Sequence, residues 1–190
     1  MEDIFIEDKK FDGVNFTEKI FKKGDYENCI FTNCFFSGSD LSYINFADCK
    51  FDFCDLSMAK ITDTAFRDVH FTDCKLLGLH FEDCNNFLFS INVNSCQLNL
   101  STFYKRDLRK TKFTNCSLHE VDFAEANLTS AVFDNCDLSG AIFENTILEK
   151  ADFRNSFNFS INPDYNKIKK AKFSVNGAIS LLNKFDIIIE

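Results

Sequence analysis

Nine cysteines, three histidines and 29 Asp or Glu residues are the side chains of this 190-residue chain that could carry a nucleophile, a metal ion or a mobile proton. Structural zinc needs four ligands converging tetrahedrally, usually from knuckles of the CxxC type, and no such spacing occurs. The cysteines instead keep a different rule. Cys29, Cys34, Cys49, Cys54, Cys74 and Cys84 are separated by multiples of five residues, and Cys96, Cys116 and Cys136 by 20, in a phase displaced by two. Among His70, His80 and His119 no residue pairs as a base beside a nucleophile, so no catalytic arrangement is legible. Carboxylates are scattered without obvious pairing, and there is no phosphate-cradling glycine loop. Lys105, Arg106, Arg109, Lys110 and Lys112 form one basic cluster. Few aromatics beside it are free to stack on bases, so it makes a poor nucleic-acid site and reads as a solvated surface. These patterns exclude an enzyme and call for no cofactor and no metal.

The element that positions these residues is a repeat. Stepping by five from Phe11 lands on Phe16, Phe21, Tyr26, Phe31, Phe36, Leu41, Phe46, Phe51, Leu56, Ile61, Phe66, Phe71, Leu76 and Phe81. A second run starts at Leu98 and continues through Phe103, Leu108, Phe113, Leu118, Phe123, Leu128, Phe133, Leu138, Phe143, Leu148 and Phe153, with Leu and Phe alternating. A short insertion between Cys84 and Leu88 accounts for the phase change. A period of five fits neither a helix nor a strand, but it fits a chain that turns a corner every five residues. Four sides of that kind close a square coil of about 20 residues, and coils stacked at strand spacing make a rod roughly 35 Å long. The middle residue of each side points inward. A second inward slot, two residues earlier, must be small, and it holds Ala126, Ala131, Ala141, Ala151 and all nine cysteines. Cysteines 20 residues apart then form collinear ladders, Cys34–Cys54–Cys74 and Cys96–Cys116–Cys136, which cannot surround an ion. They read as buried small hydrophobes.

Runs such as Ala126-Asn127-Leu128-Thr129-Ser130 and Cys136-Asp137-Leu138-Ser139-Gly140 resemble the A(D/N)Lxx motif of the pentapeptide-repeat family over roughly residues 11–155. The resemblance implies an all-β right-handed quadrilateral β-helix over residues 1–157, with the phase shift near 84–88. Residues 158–190 are expected as a C-terminal cap and dimerisation segment. There, Ser174 or Asn176 is placed to cap a short helix presenting Ile179, Leu182 and Phe185, followed by a strand over Ile187, Ile188 and Ile189. A solenoid end must be covered, and three consecutive isoleucines point to a homodimer whose interface uses these six residues.

The tail also resembles that of the Qnr quinolone-resistance proteins and the microcin-immunity pentapeptide protein. The likeness lies in Ile161-Asn162-Pro163, in Asn166-Lys167-Ile168 and in the Leu-Leu before a β-branched end. It implies a head-to-head dimer whose acidic rod resembles duplex DNA and acts on DNA gyrase or topoisomerase IV, giving protection from or immunity to a gyrase poison. The only counterpart here of the long loop some of those proteins carry is the short insertion near Asn85 and Asn86.

Charge agrees in sign. Of the formal net charge of −8, residues 24–166 contribute 11 basic and 21 acidic side chains, or −10, which repels nucleic acid and favours a basic partner. Asp134, Asp137, Glu144, Glu149 and Asp152, near the expected two-fold end, are the candidate contacts. The other reading is a generic interaction scaffold with a different basic partner. The N-terminus lacks the basic and apolar pattern of a signal peptide, and no stretch is apolar enough to span a membrane, so the expected location is the cytoplasm.

Overall fold

The computed structural model describes residues 4–182, 185, 187 and 188. Over them the chain winds as a right-handed four-sided β-helix, nearly all β apart from one short C-terminal helix. We number the sides by the inward residues of the first coil: Phe11 on the first, Phe16 on the second, Phe21 on the third and Tyr26 on the fourth. The second side shows the stacking plainly. Parallel bridges run from Asn15 through Phe35, Asp55, Lys75, Gln97, Ser117 and Asp137 to Phe157, seven steps of roughly 4.8 Å.

Eleven short strands lie on two of the sides. They are β1 (Ile4–Glu7), β2 (Lys10–Asp12), β3 (Gly24–Glu27), β4 (Ile30–Thr32), β5 (Asn45–Ala47), β6 (Lys50–Asp52), β7 (Ala65–Arg67), β8 (Val69–Thr72), β9 (Ile91–Asn94), β10 (Lys112–Thr114) and β11 (Val132–Asp134). The first side is a continuous seven-stranded parallel sheet, β2-β4-β6-β8-β9-β10-β11, whereas the fourth is a four-stranded sheet, β1-β3-β5-β7. It stops at β7 because the insertion follows. Val69 pairs with Ile91 and Lys75 with Gln97, so this one coil is 22 residues long. The additional residues bulge from the fourth side, leaving Phe87 and Leu88 exposed. Among the described residues no bridge crosses the bulge on that side; pairing resumes with Asp107 and Asn127.

Corners form because the residue two after most inward centres adopts left-handed backbone, with φ of 52° at Asn33, 53° at Asp48, 54° at Asn115 and 53° at Asn135. Asn and Asp reach that region more easily than other non-glycine residues, because their short side chains hydrogen-bond locally. Leu100 holds the same geometry at φ 62° with its side chain 63% exposed, so it carries the steric cost and returns little burial. Leu100→Asn is expected to raise stability by about 0.5–1 kcal/mol, measured as a higher urea midpoint at unchanged slope. A midpoint that falls would mean that Leu100 packs in a way its exposure conceals.

The interior is an aromatic column. In the second run Phe103, Phe123 and Phe143 occupy one side, Phe113, Phe133 and Phe153 the opposite one, and leucines the two between. Within a column the rings are nearly parallel, Phe113 on Phe133 at 5.1 Å and 6°. Across the coil they meet edge to face, Phe103 against Phe113 at 6.0 Å and 76°. Both arrangements bring the negative ring face against positive edges, and the leucines fill the remaining width.

The ladder continues past the expected boundary at residue 157. Ile147 bridges Lys167, Asp152 bridges Lys172, and Phe173 stacks on Phe153 at 5.5 Å. Asn166 takes the small inward slot of this last coil. Its side chain donates to the Phe143 and Asn162 carbonyls at 2.8 and 2.9 Å and accepts from the Thr146 N–H at 2.9 Å. Ser174, whose side chain accepts from the Gly177 N–H at 3.0 Å, then caps α1 (Val175–Ser180). The expected terminal strand is absent at Ile187 and Ile188, which are 55% and 89% exposed. A strand needs a neighbour to pair with, and the single chain offers none there. Ile189 lies outside the described residues.

Candidate interaction surface

All nine cysteines are buried and free of disulfides. The insertion alters their expected grouping. Because Cys74 is stacked on Cys96 across the 22-residue coil, the two separate ladders expected are one: Cys34, Cys54, Cys74, Cys96, Cys116 and Cys136 follow each other along the second side, with the Cys34 and Cys74 N–H groups 3.4 and 3.3 Å from the next sulfur. The thiols donate to main-chain carbonyls, Cys54 to Phe31 O at 3.3 Å and Cys74 to Phe51 O at 3.2 Å. Burial pushes the Cys49 and Cys84 thiols up to about 12, which keeps these two as thiols at neutral pH. Among the described residues no group of three or more His, Cys, Asp or Glu side chains could hold a metal ion. None of their helices is long and apolar enough to cross a membrane.

The five candidate contacts do not share a surface. Asp134 and Asp152 lie on the first side, Asp137 on the second, Glu144 on the third and Glu149 on the fourth. Three of them are engaged within the rod. Asp152 is paired with Arg154 at 2.8 Å and Lys172 at 3.5 Å, and Asp134 accepts from Asn155 at 2.8 Å. Asp137 accepts from Ser139 N–H and Oγ, from Asn158 and, at 2.8 Å, from His119 Nε2. Burial by itself would raise the Asp137 carboxyl, but these hydrogen bonds outweigh it and hold it down at about 2. A carboxyl that titrates lower folded than unfolded stabilises fully above its unfolded pKa of about 4 and loses that contribution as pH falls toward 2. Asp137→Asn should therefore lower stability by about 1 kcal/mol at pH 7, with the difference from wild type closing between about pH 4 and pH 2. A difference independent of pH would show that the charge is immaterial.

Tracing columns by register shows a surface that spacing along the chain conceals. The third side carries Asp40, Asp63, Glu82, Asp83, Asp122, Glu125, Glu144 and Asp164, distributed from the second coil to the last. Lys60 and Lys105 are the cations among them, and Lys105 leans on Glu125 at 3.5 Å and on the Tyr104 ring at 4.6 Å. From the second coil to the last, eight carboxylates against two lysines leave this side at −6; in the first coil it carries Lys19, Lys22 and Lys23, of which Lys23 pairs with Asp40 at 3.2 Å. The fourth side is weighted differently along its length: Glu7, Asp8, Asp25, Glu27, Asp48 and Asp68 outnumber Arg67 before the bulge, while Arg109, Lys110, Lys150, Lys167, Lys169 and Lys170 outnumber Asp107 and Glu149 after it. The basic cluster expected to be solvated is only partly so, because Arg106 is 2% exposed. It occupies the inward slot filled by Thr64 and Cys84 below and Ala126 above, where the bulge has left room for a long side chain.

At the C-terminal end Ile179, Leu182, Phe185, Ile187 and Ile188 are 40%, 38%, 57%, 55% and 89% exposed, so the apolar segment expected to pair two chains is uncovered in one.

The model of the pentapeptide repeat region matches residues 24–92 and 88–158. Among solved structures, HetL, a pentapeptide repeat protein involved in heterocyst differentiation regulation in the cyanobacterium Nostoc sp. strain PCC 7120, superposes with a TM-score of 0.69 at 18% identity, covering 92% of this chain and 88% of HetL. QnrB1, a plasmid-mediated fluoroquinolone resistance protein, is matched over 97% of this chain and 100% of its own, with a TM-score of 0.43 at 19% identity. No curated protein matches the chain. At these identities the likeness to HetL shows the fold.

Proposed function

The chain belongs to the pentapeptide-repeat family, and from that premise we propose that it is a non-catalytic interaction scaffold whose third side acts as a DNA mimic toward a type II topoisomerase. The observation that carries this reading is the line of carboxylates on the third side. One strand of B-DNA carries a phosphate per about 3.4 Å, or roughly ten over a 35 Å rod. The eight carboxylates of the third side approach that density on a stiff support. A cationic groove built for a DNA backbone would meet a rod of suitable length with charge of the same sign and similar spacing.

The resemblance of the tail to gyrase-interacting members adds the partner, DNA gyrase or topoisomerase IV. The outcome would be protection from a gyrase poison or immunity to one. Two chains pairing through Ile179, Leu182, Phe185 and the isoleucine end would double the length of the acidic line. Purified gyrase, titrated with this protein in a supercoiling assay with and without ciprofloxacin, tests the proposal. Inhibition of supercoiling, or its rescue from the drug, supports it. No effect at micromolar protein would assign the acidic side to a different basic partner.

A further inference from the structure

The break in the fourth side is filled by a buried charge that makes no direct ion pair. The guanidinium of Arg106 lies over the Phe89 ring at 4.5 Å, donates through Nη1 to Asn86 Oδ1, and approaches the Asn85 carbonyl through Nη2 at 3.4 Å. Its Nε is buried without a hydrogen-bond partner, and Arg106 belongs to none of the ion pairs among the described residues. Arginine stays charged at neutral pH, and a buried charge without a direct ion-pair partner is costly. A plug needed only to fill the bulge would be better served by methionine or leucine.

A surface cavity of about 580 Å³ opens beside it. Leu88, Phe89 and Ile91 form an apolar wall, and Arg106, Arg109 and Lys110 supply the cations. Asp107, the one acid of the lining, is committed to Arg109, whose Nε donates to its Oδ1 at 2.8 Å. The volume falls within the range typical of small-molecule sites, and apolar walls with a few convergent polar groups are their usual construction. A nucleic-acid strand is repelled by the −10 body around the patch.

We propose that this cavity binds a small organic anion, its carboxylate or phosphate facing Arg106, Arg109 and Lys110 and its apolar part lying on Leu88, Phe89 and Ile91. The site is separate from the acidic third side and stands whether or not a topoisomerase is the partner.

Nitrogen-15 NMR of the full chain provides the test, with benzoate, adenosine monophosphate and inorganic phosphate as probes. Benzoate or the nucleotide should shift amides in 85–92 and 106–111 and move the Arg106 Nε–H resonance. The Arg109→Ala/Lys110→Ala double variant, exposed at both positions, should keep its melting temperature and lose roughly tenfold in affinity. Arg106→Met should remain folded and lose binding as well. Three outcomes overturn the proposal: no localised shifts at millimolar probe, phosphate binding as tightly as both organic anions, or a polyglutamate peptide binding more tightly than either, which would make the patch a protein contact.

Discussion

Phe113→Ala is expected to cost the rod about 3–5 kcal/mol, the range for removing a buried phenylalanine from a well-packed core. Phe113 is fully buried, stacks on Phe133 at 5.1 Å, and meets Phe103 and Phe123 edge to face at 6.0 and 6.1 Å. Truncation therefore removes ring contacts in two directions and opens a void that the layers above and below cannot close, because their own columns fix the coil height. Total stabilities of domains are about 5–15 kcal/mol, so the loss is a large share of the whole. A solenoid couples each coil mainly to its neighbours, and a weakened coil in mid-rod should also separate the two halves. Urea unfolding followed by far-UV circular dichroism should show both the lower midpoint and a shallower slope. Phe113→Leu should cost only about 1 kcal/mol, since leucine already serves as the inward residue on the adjacent sides. Thr114→Ala, facing outward beside it, should stay within about 0.5 kcal/mol. A Phe113→Ala variant within 1 kcal/mol of wild type would remove the aromatic column as the source of stability.

The triple variant Asp83→Lys, Glu125→Lys and Glu144→Lys should weaken gyrase binding by about a hundredfold or more while leaving the fold intact. Each reversal changes the local charge by two, so the third side from the second coil onward moves from −6 to 0. An association carried by complementary charge loses rate and affinity together when its potential is cancelled, and its salt dependence flattens. All three side chains are outward and partly or fully exposed, which limits the effect on stability to about 0.5 kcal/mol each. Reversal of Asp134 and Asp152 on the first side is the control, because Asp152 already sits between Arg154 and Lys172. Binding measured across a salt series should separate the two variants. Equal losses from both would mean that net charge, and not the line on one side, governs association; an undiminished triple variant would dispose of the DNA-mimic reading altogether.

The five candidate contacts show how far sequence reaches and where it stops. They are near neighbours along the chain, and a coil of 20 residues distributes near neighbours over different sides. Residues that share a side are instead 20 apart, or 22 across the bulge, as Val69 and Ile91 are. The carboxylates of the third side, from Asp40 to Asp164, belong together only in that register. The same two-residue offset joined six of the cysteines into a single ladder where the phase change along the chain suggested two.

Several features were determined by sequence alone. The step of five, the large and small inward slots, the burial of the cysteines and the place of the insertion are all local rules, because one corner geometry repeats and each corner selects its residues by size and backbone freedom. What tertiary structure decided depends on stacking between coils. Arg106 reads as one member of a solvated cluster until the bulge at 85–90, one coil away, is seen to leave the space that takes its side chain inside. Asn166 likewise fits a slot for small residues only because Phe143, Asn162 and Thr146 are placed around its amide. Period and slot come from interactions within one side, whereas charge patterning and the fate of a misfit side chain come from neighbours a full coil away.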